Sequence, residues 1–340
     1  MKLNHDRQMR KSIAIIITSI LVLSGCNKQQ SVSDRLLNEV GKAIAINPDS
    51  ASNLLKGISS PEKLDNKTFA RWCMLSGKIT DEIFNSILPT YQLERAYDWY
   101  SSHGSPDEQV QILIYLGRSY FADGDYDKAM SIYTNALDIA EKNKLNNLTG
   151  YTYSYIGDLY GEKFMRTEAI KRYKAAAECF KKENNTDSYA CALRDVGREY
   201  ACIDSLSRAL KILTIADSVA RNTKNIEVTA SIDNALGNIY AMQNKYDKAE
   251  EYFLKALVGR ETMPDYMALI DLYIASGAIN KAQELLSKIP QDNPKYTYSI
   301  KYLYYQIYNE EKNYKEALTN LKEYVEITDS IIYADNQSKI

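Results

Sequence analysis

The chain has 340 residues, more than one hydrophobic core usually supports, so internal repetition or division into domains is expected. Hydrophobic residues make up 45% and charged residues 25%, with only 7 prolines and 14 glycines, which argues against a turn-rich β protein or a disordered chain and for helices. A formal net charge of −2 without a basic stripe excludes the electrostatic footprint of a nucleic-acid-binding protein.

The first 25 residues read as an address. Lys2, Arg7, Arg10 and Lys11 make a basic start, and residues 12–23 form an apolar run that is shorter than the ~20 residues needed to cross a bilayer as a helix. Leu23-Ser24-Gly25-Cys26 closes that run. This stretch resembles the lipobox of bacterial lipoproteins, in which small residues admit the cleaving peptidase and the cysteine becomes the lipid-bearing N-terminus. The resemblance implies a signal peptide over 1–25, lipidation at Cys26 and a tether over 26–33. Asn27, standing where an aspartate would signal inner-membrane retention, favours the outer membrane. The expected location is therefore the cell envelope, with the membrane held through acyl chains at ~0.8 kcal/mol per buried methylene. No later segment is long and apolar enough to span.

Residues 34–109 read as divergent helical pairs. Leu36, Leu37, Val40 and Ile44 lie at helical spacing over 34–46, where Asn47-Pro48-Asp49 stops the helix, and a second helix is expected near 50–56. A further pair is expected over 66–82 and 91–101.

From residue 110 onward the chain repeats. Leu116-Gly117-Arg118-Ser119-Tyr120 recurs as Ile156-Gly157-Asp158-Leu159-Tyr160, Val196-Gly197-Arg198-Glu199-Tyr200 and Leu236-Gly237-Asn238-Ile239-Tyr240, with the glycines 40 residues apart. Downstream come Ala129, Ala169, Ala209 and Ala249, then Ala136, Ala176, Ala216 and Ala256. Between each alanine pair lies a bulky residue: Tyr133, Tyr173, Leu213 or Phe253. Glycine inside a helix costs ~1 kcal/mol relative to alanine, so it marks a place where another element approaches too closely for a side chain. Two antiparallel helices per unit satisfy this, and stacking buries a core that no unit forms alone.

These residues match the tetratricopeptide repeat pattern, aliphatic-Gly-x-x-Tyr followed by Ala-x(3)-aromatic-x-x-Ala. The chain resembles tetratricopeptide lipoproteins of Gram-negative bacteria, and the 75 or so residues after the leader resemble the opening region of that group. The implied fold class is all-α, a right-handed α-solenoid of tetratricopeptide-type helical hairpins, with units near 110–149, 150–189, 190–229, 230–262, 263–297 and 298–340. The usual repeat is 34 residues. The spacing of 40 predicts about two extra helical turns per pair, assigned to the second helix and its exit near 144–147 and 183–186. The last two units are shorter, with Ile270 and Tyr305 in the glycine slot. Asp123-Gly124-Asp125, Gln243-Asn244-Lys245, Ser276-Gly277 and Lys312-Asn313 are the expected corners between paired helices. Residues 321–340 read as one long amphipathic helix.

Chemistry is sparse. Beyond the leader there is one histidine, His103, in an expected Ser-Ser-His-Gly-Ser turn, and no metal motif, P-loop or dinucleotide fingerprint. Neither an enzyme nor a cofactor is expected. Cys179 and Cys191 could meet across neighbouring helices as a disulfide or fill seams as small apolar residues.

The first helices of tetratricopeptide folds line a groove. The positions facing it here are Arg118, Asp158, Arg198 and Asn238, just after each glycine, and Ile114, Ser154, Arg194 and Asn234, three before it. The proposed partner-binding set is Arg118, Asp158, Arg194, Arg198, Asn234 and Asn238, with arginines reading carboxylates and asparagines clamping a peptide backbone. The Lys/Asn/Lys/Arg carboxylate clamp of chaperone-binding tetratricopeptide proteins is not reproduced. The expected function is a membrane-anchored scaffold or adaptor that binds a protein or peptide, the sensing part of a regulatory system being one such use. The alternative is a carbohydrate-binding lipoprotein like the starch-binding outer-membrane family, against which stand the short connections and the placement of Trp72 and Trp99 in helix seams.

Overall fold

The computed structural model describes residues 32–83, 87–291 and 296–338. The signal peptide, Cys26 and most of the tether lie outside the described residues. Everything described is helix, turn or loop, with no strand. The chain divides into two compact units, residues 1–159 and 160–340.

Unit 1 holds α1 (32–43), α2 (Pro48–Lys56), α3 (Asn66–Ile83), α4 (Thr90–His103), α5 (Pro106–Ala122), α6 (Tyr126–Lys142) and most of α7 (Asn146–Glu162). Unit 2 continues with α8 (Arg166–Lys182), α9 (Thr186–Cys202), α10 (Leu206–Ala220), α11 (Ile226–Met242), α12 (Tyr246–Gly259), α13 (Met263–Ala275), α14 (Ile279–Ser287), α15 (Thr297–Glu310) and α16 (Tyr314–Ser338). From α2 to α6 in unit 1 and from α8 to α16 in unit 2 each helix packs on its sequence neighbours, and α3 on α5, α9 on α11, α11 on α13 and α13 on α15 pack one hairpin against the next. This is the tetratricopeptide-type solenoid order.

The lattice read from the sequence is the packing lattice. All eight repeat alanines are fully buried. A β-carbon on Gly117 would stand 2.3 Å from the Tyr133 ring, one on Gly197 2.6 Å from Leu213, and one on Gly237 2.6 Å from Phe253. Each glycine is the hollow into which the bulky residue of its own hairpin fits.

The extra length of the repeat is placed differently from the expectation. Helices α5 to α9 are all 17 residues long, so both members of a hairpin are lengthened equally, and residues 144–147 and 183–186 fall at the corners between hairpins and the first residues of the next helix. Antiparallel partners bury each other only over their common length, so an extra turn on one alone would expose an apolar end. Corners recur every 20 residues with one residue in the left-handed region: Gly124, Lys144, Phe164, Asn184, Asp204 and Asn244. The next amide closes each corner on a carbonyl five residues back, as Asp125 N–H does to Tyr120 (2.9 Å) and Leu145 N–H to Ala140 (2.9 Å). Corners within and between hairpins therefore share one geometry.

Three local readings shift. Asn47 and Pro48 do not merely stop a helix but start α2, Asn47 as N-cap accepting from Ser50 N–H and Pro48 in the first turn. His103 is the last residue of α4, its ring stacked on Trp99 at 5.0 Å and its Nδ1 at 3.0 Å from the Trp99 carbonyl. The last helix begins at Tyr314 and runs unbroken through the stretch expected as a separate tail.

Candidate functional site

In unit 2 the odd-numbered helices α9, α11 and α13 lie side by side, as required when alternate helices of a hairpin stack share a face. A cleft of about 420 Å³ opens over them. Its walls carry Arg194 and Arg198 from α9, Asn234 and Asn238 from α11, and Arg260 at the end of α12, over a floor that includes Ile239. Four of the six groove positions read from the sequence thus share one site.

Their chemistry is unequal. Arg194 donates from Nε and Nη2 to its neighbour Asp195 (2.9 and 3.0 Å) and from Nη1 to Ser231 Oγ (3.0 Å), so it ties α9 to α11. Arg198 reaches the same aspartate only at 3.7 Å and leaves two thirds of its side chain exposed. Asn234 Nδ2 donates to Asp265 Oδ1 (2.9 Å), and Asn238 Nδ2 donates to Asn234 Oδ1 (2.9 Å). Asp265 is fully buried and also receives a two-point contact from Arg260 Nε and Nη2 (3.0 Å each) and the hydroxyl of Thr262. The cleft is therefore a fixed frame, Arg194, Asn234, Arg260 and Asp265, carrying two ends that can meet a ligand, the Arg198 guanidinium and the Asn238 carboxamide oxygen, whose amide nitrogen is spent on Asn234.

Unit 1 has its own cleft of about 480 Å³ across α3, α5 and α7. Arg118 lies there, paired with Asp81 and 5.5 Å over the Tyr155 ring. Tyr115 donates its hydroxyl to Asp81 Oδ2 (2.9 Å), and Tyr155 stacks on Tyr133 at 5.6 Å. Burial pushes the Tyr155 hydroxyl up to about 12, so it stays neutral. Arg118 is thus spent on structure. Asp158 is exposed on α7 and lines neither cleft.

Sequence reasoning missed Arg260, Asp265 and Asp81. Arg260 carried a signal: the residues 40, 80 and 120 before it are Ala220, Phe180 and Ala140, all buried, so an arginine there marks a changed local job. Cys191 is a free thiol, so the Cys179–Cys191 disulfide is not formed, and burial pushes the Cys191 thiol up, away from nucleophilic reactivity. Among the described residues no cluster of His, Cys, Asp and Glu could hold a metal ion, and no helix is long and apolar enough to cross a membrane.

Residues 108–182 and 229–263 each match the tetratricopeptide repeat family. No curated protein matches the chain. Among solved structures it is similar to a Rap protein complexed with competence and sporulation factor, with 18% identity, a TM-score of 0.67 and coverage of 90% of this chain and 88% of that one. It is also similar to the apo form of the quorum sensor NprR from B. thuringiensis (15% identity, TM-score 0.55, coverage 89% and 94%). NprR in complex with its cognate peptide NprX gives 14% identity, a TM-score of 0.54 and coverage of 85% and 88%. At these identities the likeness establishes the fold, a tetratricopeptide-like helical scaffold.

Proposed function

We propose that the protein is a binding scaffold that takes an extended peptide or protein segment in the unit 2 cleft, and that it works in the cell envelope from a lipid anchor at Cys26. The observation that carries the binding proposal is the pairing of these two ends with a rigid frame. Arg198 and Asn238 stand on successive first helices, while the residues beside them are locked by charge-assisted hydrogen bonds. The carboxamide oxygen of Asn238 offers an acceptor to a peptide N–H, and a guanidinium offers parallel donors to a carboxylate. Two of the similar structures, by their own descriptions, hold competence and sporulation factor or a cognate peptide, which supports this use of the fold.

Selection from a displayed peptide library tests it. Peptides enriched on the natural chain should lose at least tenfold in recovery on an Arg198→Ala/Asn238→Ala variant whose thermal melt stays close to the natural one, because Arg198 is largely exposed and Asn238 bonds only Asn234 on its own helix. Equal recovery on both would remove the cleft as the site. The anchor is tested separately. Cys26→Ala should abolish incorporation of labelled palmitate and release the chain from the membrane fraction, and continued labelling would refute lipidation at that residue.

A further inference from the structure

The 40-residue lattice supplies an internal reference, since a position that departs from its equivalents answers to something besides the common packing. Several departures meet at one place in unit 2. The corner between α10 and α11 lacks the left-handed residue found at the other corners of the 20-residue series, and α10 and α12 are 15 and 14 residues long where their counterparts have 17. Leu254 stands where Thr134, Lys174 and Thr214 stand in the other hairpins, and Val258 where Asp138, Glu178 and Ser218 do. Ile226 takes the place of Asn146 and Thr186. All three are exposed, Val258 by 91%. In the opposite sense, Asp233 occupies the slot that Leu113 and Leu193 fill with buried apolar side chains. Polar residues have become apolar at the surface and an apolar one has become charged inside, around a cleft of about 690 Å³.

Asp233 lines this cleft with its side chain only 2% exposed. Its Oδ1 accepts from Arg221 Nη2, while Arg221 Nε is given to Asp217 Oδ1 (2.9 Å). The second oxygen of Asp233 accepts no hydrogen bond from the protein. Arg221 is shared between the carboxylates of Asp217 and Asp233, so it compensates Asp233 only in part. Lys255, on the facing wall, is committed to Glu251 at 2.6 Å, and Lys224 stands exposed at the rim. An apolar wall ending on a buried carboxylate with an open oxygen is complementary to an apolar stem ending in a cation.

We infer that this cleft binds an aliphatic chain ending in an ammonium group, with the stem against Ile226, Leu254 and Val258 and the ammonium donating to the open oxygen of Asp233. A lysine side chain of a partner polypeptide and a free alkylamine share this chemistry. Burial pushes the Asp233 carboxyl up to about 6, with Arg221 and Lys255 drawing it down and Asp217 adding to the rise. The carboxylate that the ammonium needs is therefore present above that pH and lost below it, so binding weakens as pH falls from 7.5 to 5.

The test is a calorimetric titration of the full chain with n-hexylammonium and, as control, hexanoate. Methyl NMR follows Ile226, Leu254 and Val258. Saturable hexylammonium binding that shifts those methyls, an inert hexanoate, and at least tenfold weaker binding by Asp233→Asn are expected. The Asp233→Asn chain should melt no lower than the natural one, since leucine fills the same slot elsewhere, and Val258→Lys gives a second reading at the surface of the wall. Equal binding of hexanoate, or hexylammonium binding untouched by Asp233→Asn, overturns the proposal. Acetyl-Ala-Lys-Ala-amide distinguishes the sources: binding at least as tight as hexylammonium assigns the site to a polypeptide lysine, weaker binding to a free amine, and both require Asp233. Arg198→Ala/Asn238→Ala should leave all of this unchanged, so failure here is separable from failure of the peptide cleft.

Discussion

Gly117→Ala should destabilise unit 1 by about 1–3 kcal/mol, although alanine is the better helix former by ~1 kcal/mol. The added methyl would sit 2.3 Å from a carbon of the Tyr133 ring, and Tyr133 is itself fully enclosed, so the ring has no empty space to enter. Relief requires the two helices to separate, which loosens the contact of α5 with α6 that the hairpin depends on. Gly41→Ala is the matched control. Its β-carbon would meet only Leu75 at 3.8 Å, an ordinary contact, on an exposed face of α1. Urea unfolding followed by circular dichroism should show Gly117→Ala with a clearly lowered midpoint and Gly41→Ala with an equal or raised one. If the two variants behave alike, the glycines are not packing hollows. A Gly117→Ala/Tyr133→Val double variant should recover part of the loss, because the side chains in conflict are neighbours and their effects are not additive.

Asp265→Ala should be as damaging for a different reason and should also disable the cleft. Asp265 is wholly buried and gathers Arg260, Asn234 and Thr262 on two carboxylate oxygens. Removing it leaves a guanidinium that is only 30% exposed without its counter-charge and frees the start of α13. Breaking one side of a buried pair costs ~3–5 kcal/mol when both charges are enclosed, and partial hydration of Arg260 brings the expectation to about 2–4 kcal/mol. Asn234 loses its anchor in the same step, so peptide recovery should fall with the midpoint. Asp265→Asn keeps the shape but reduces the charge and should fall between. A variant that melts like the natural chain and still recovers peptides would show that the frame does not depend on this carboxylate.

The N-terminal region shows how a regular pattern hides. Gly77, Leu93 and Ala96 lie 40 residues before Gly117, Tyr133 and Ala136, and a β-carbon on Gly77 would stand 2.3 Å from Tyr115. The hairpin of α3 and α4 keeps the spacing of the lattice, although its hollow takes Tyr115 of α5 and not Leu93 of its own second helix. It read as divergent because Thr80 and Pro89 occupy the tyrosine and first alanine slots. The glycine hollow, which tolerates none, is the part that was kept.

The groove positions show the converse. Arg194 and Arg198 are alike in sequence, both facing the cleft from α9, yet one is bound on three sides and the other is largely open to solvent. What separates them is Ser231, 37 residues from Arg194 and on the next first helix. Arg118 is consumed by Asp81, also 37 residues away, and Asn234 is fixed by Asp265 at a distance of 31.

The amino-acid order alone settled the helical hairpins, their 40-residue period and the hollows that let them nest, because periodicity and the absence of a β-carbon are local properties repeated along the chain. Only the folded molecule decided which polar groups remain for a ligand, since the contacts of Arg194 with Ser231, Arg118 with Asp81 and Asn234 with Asp265 join residues one hairpin apart and depend on how stacked helices bring two side chains within 3 Å of each other.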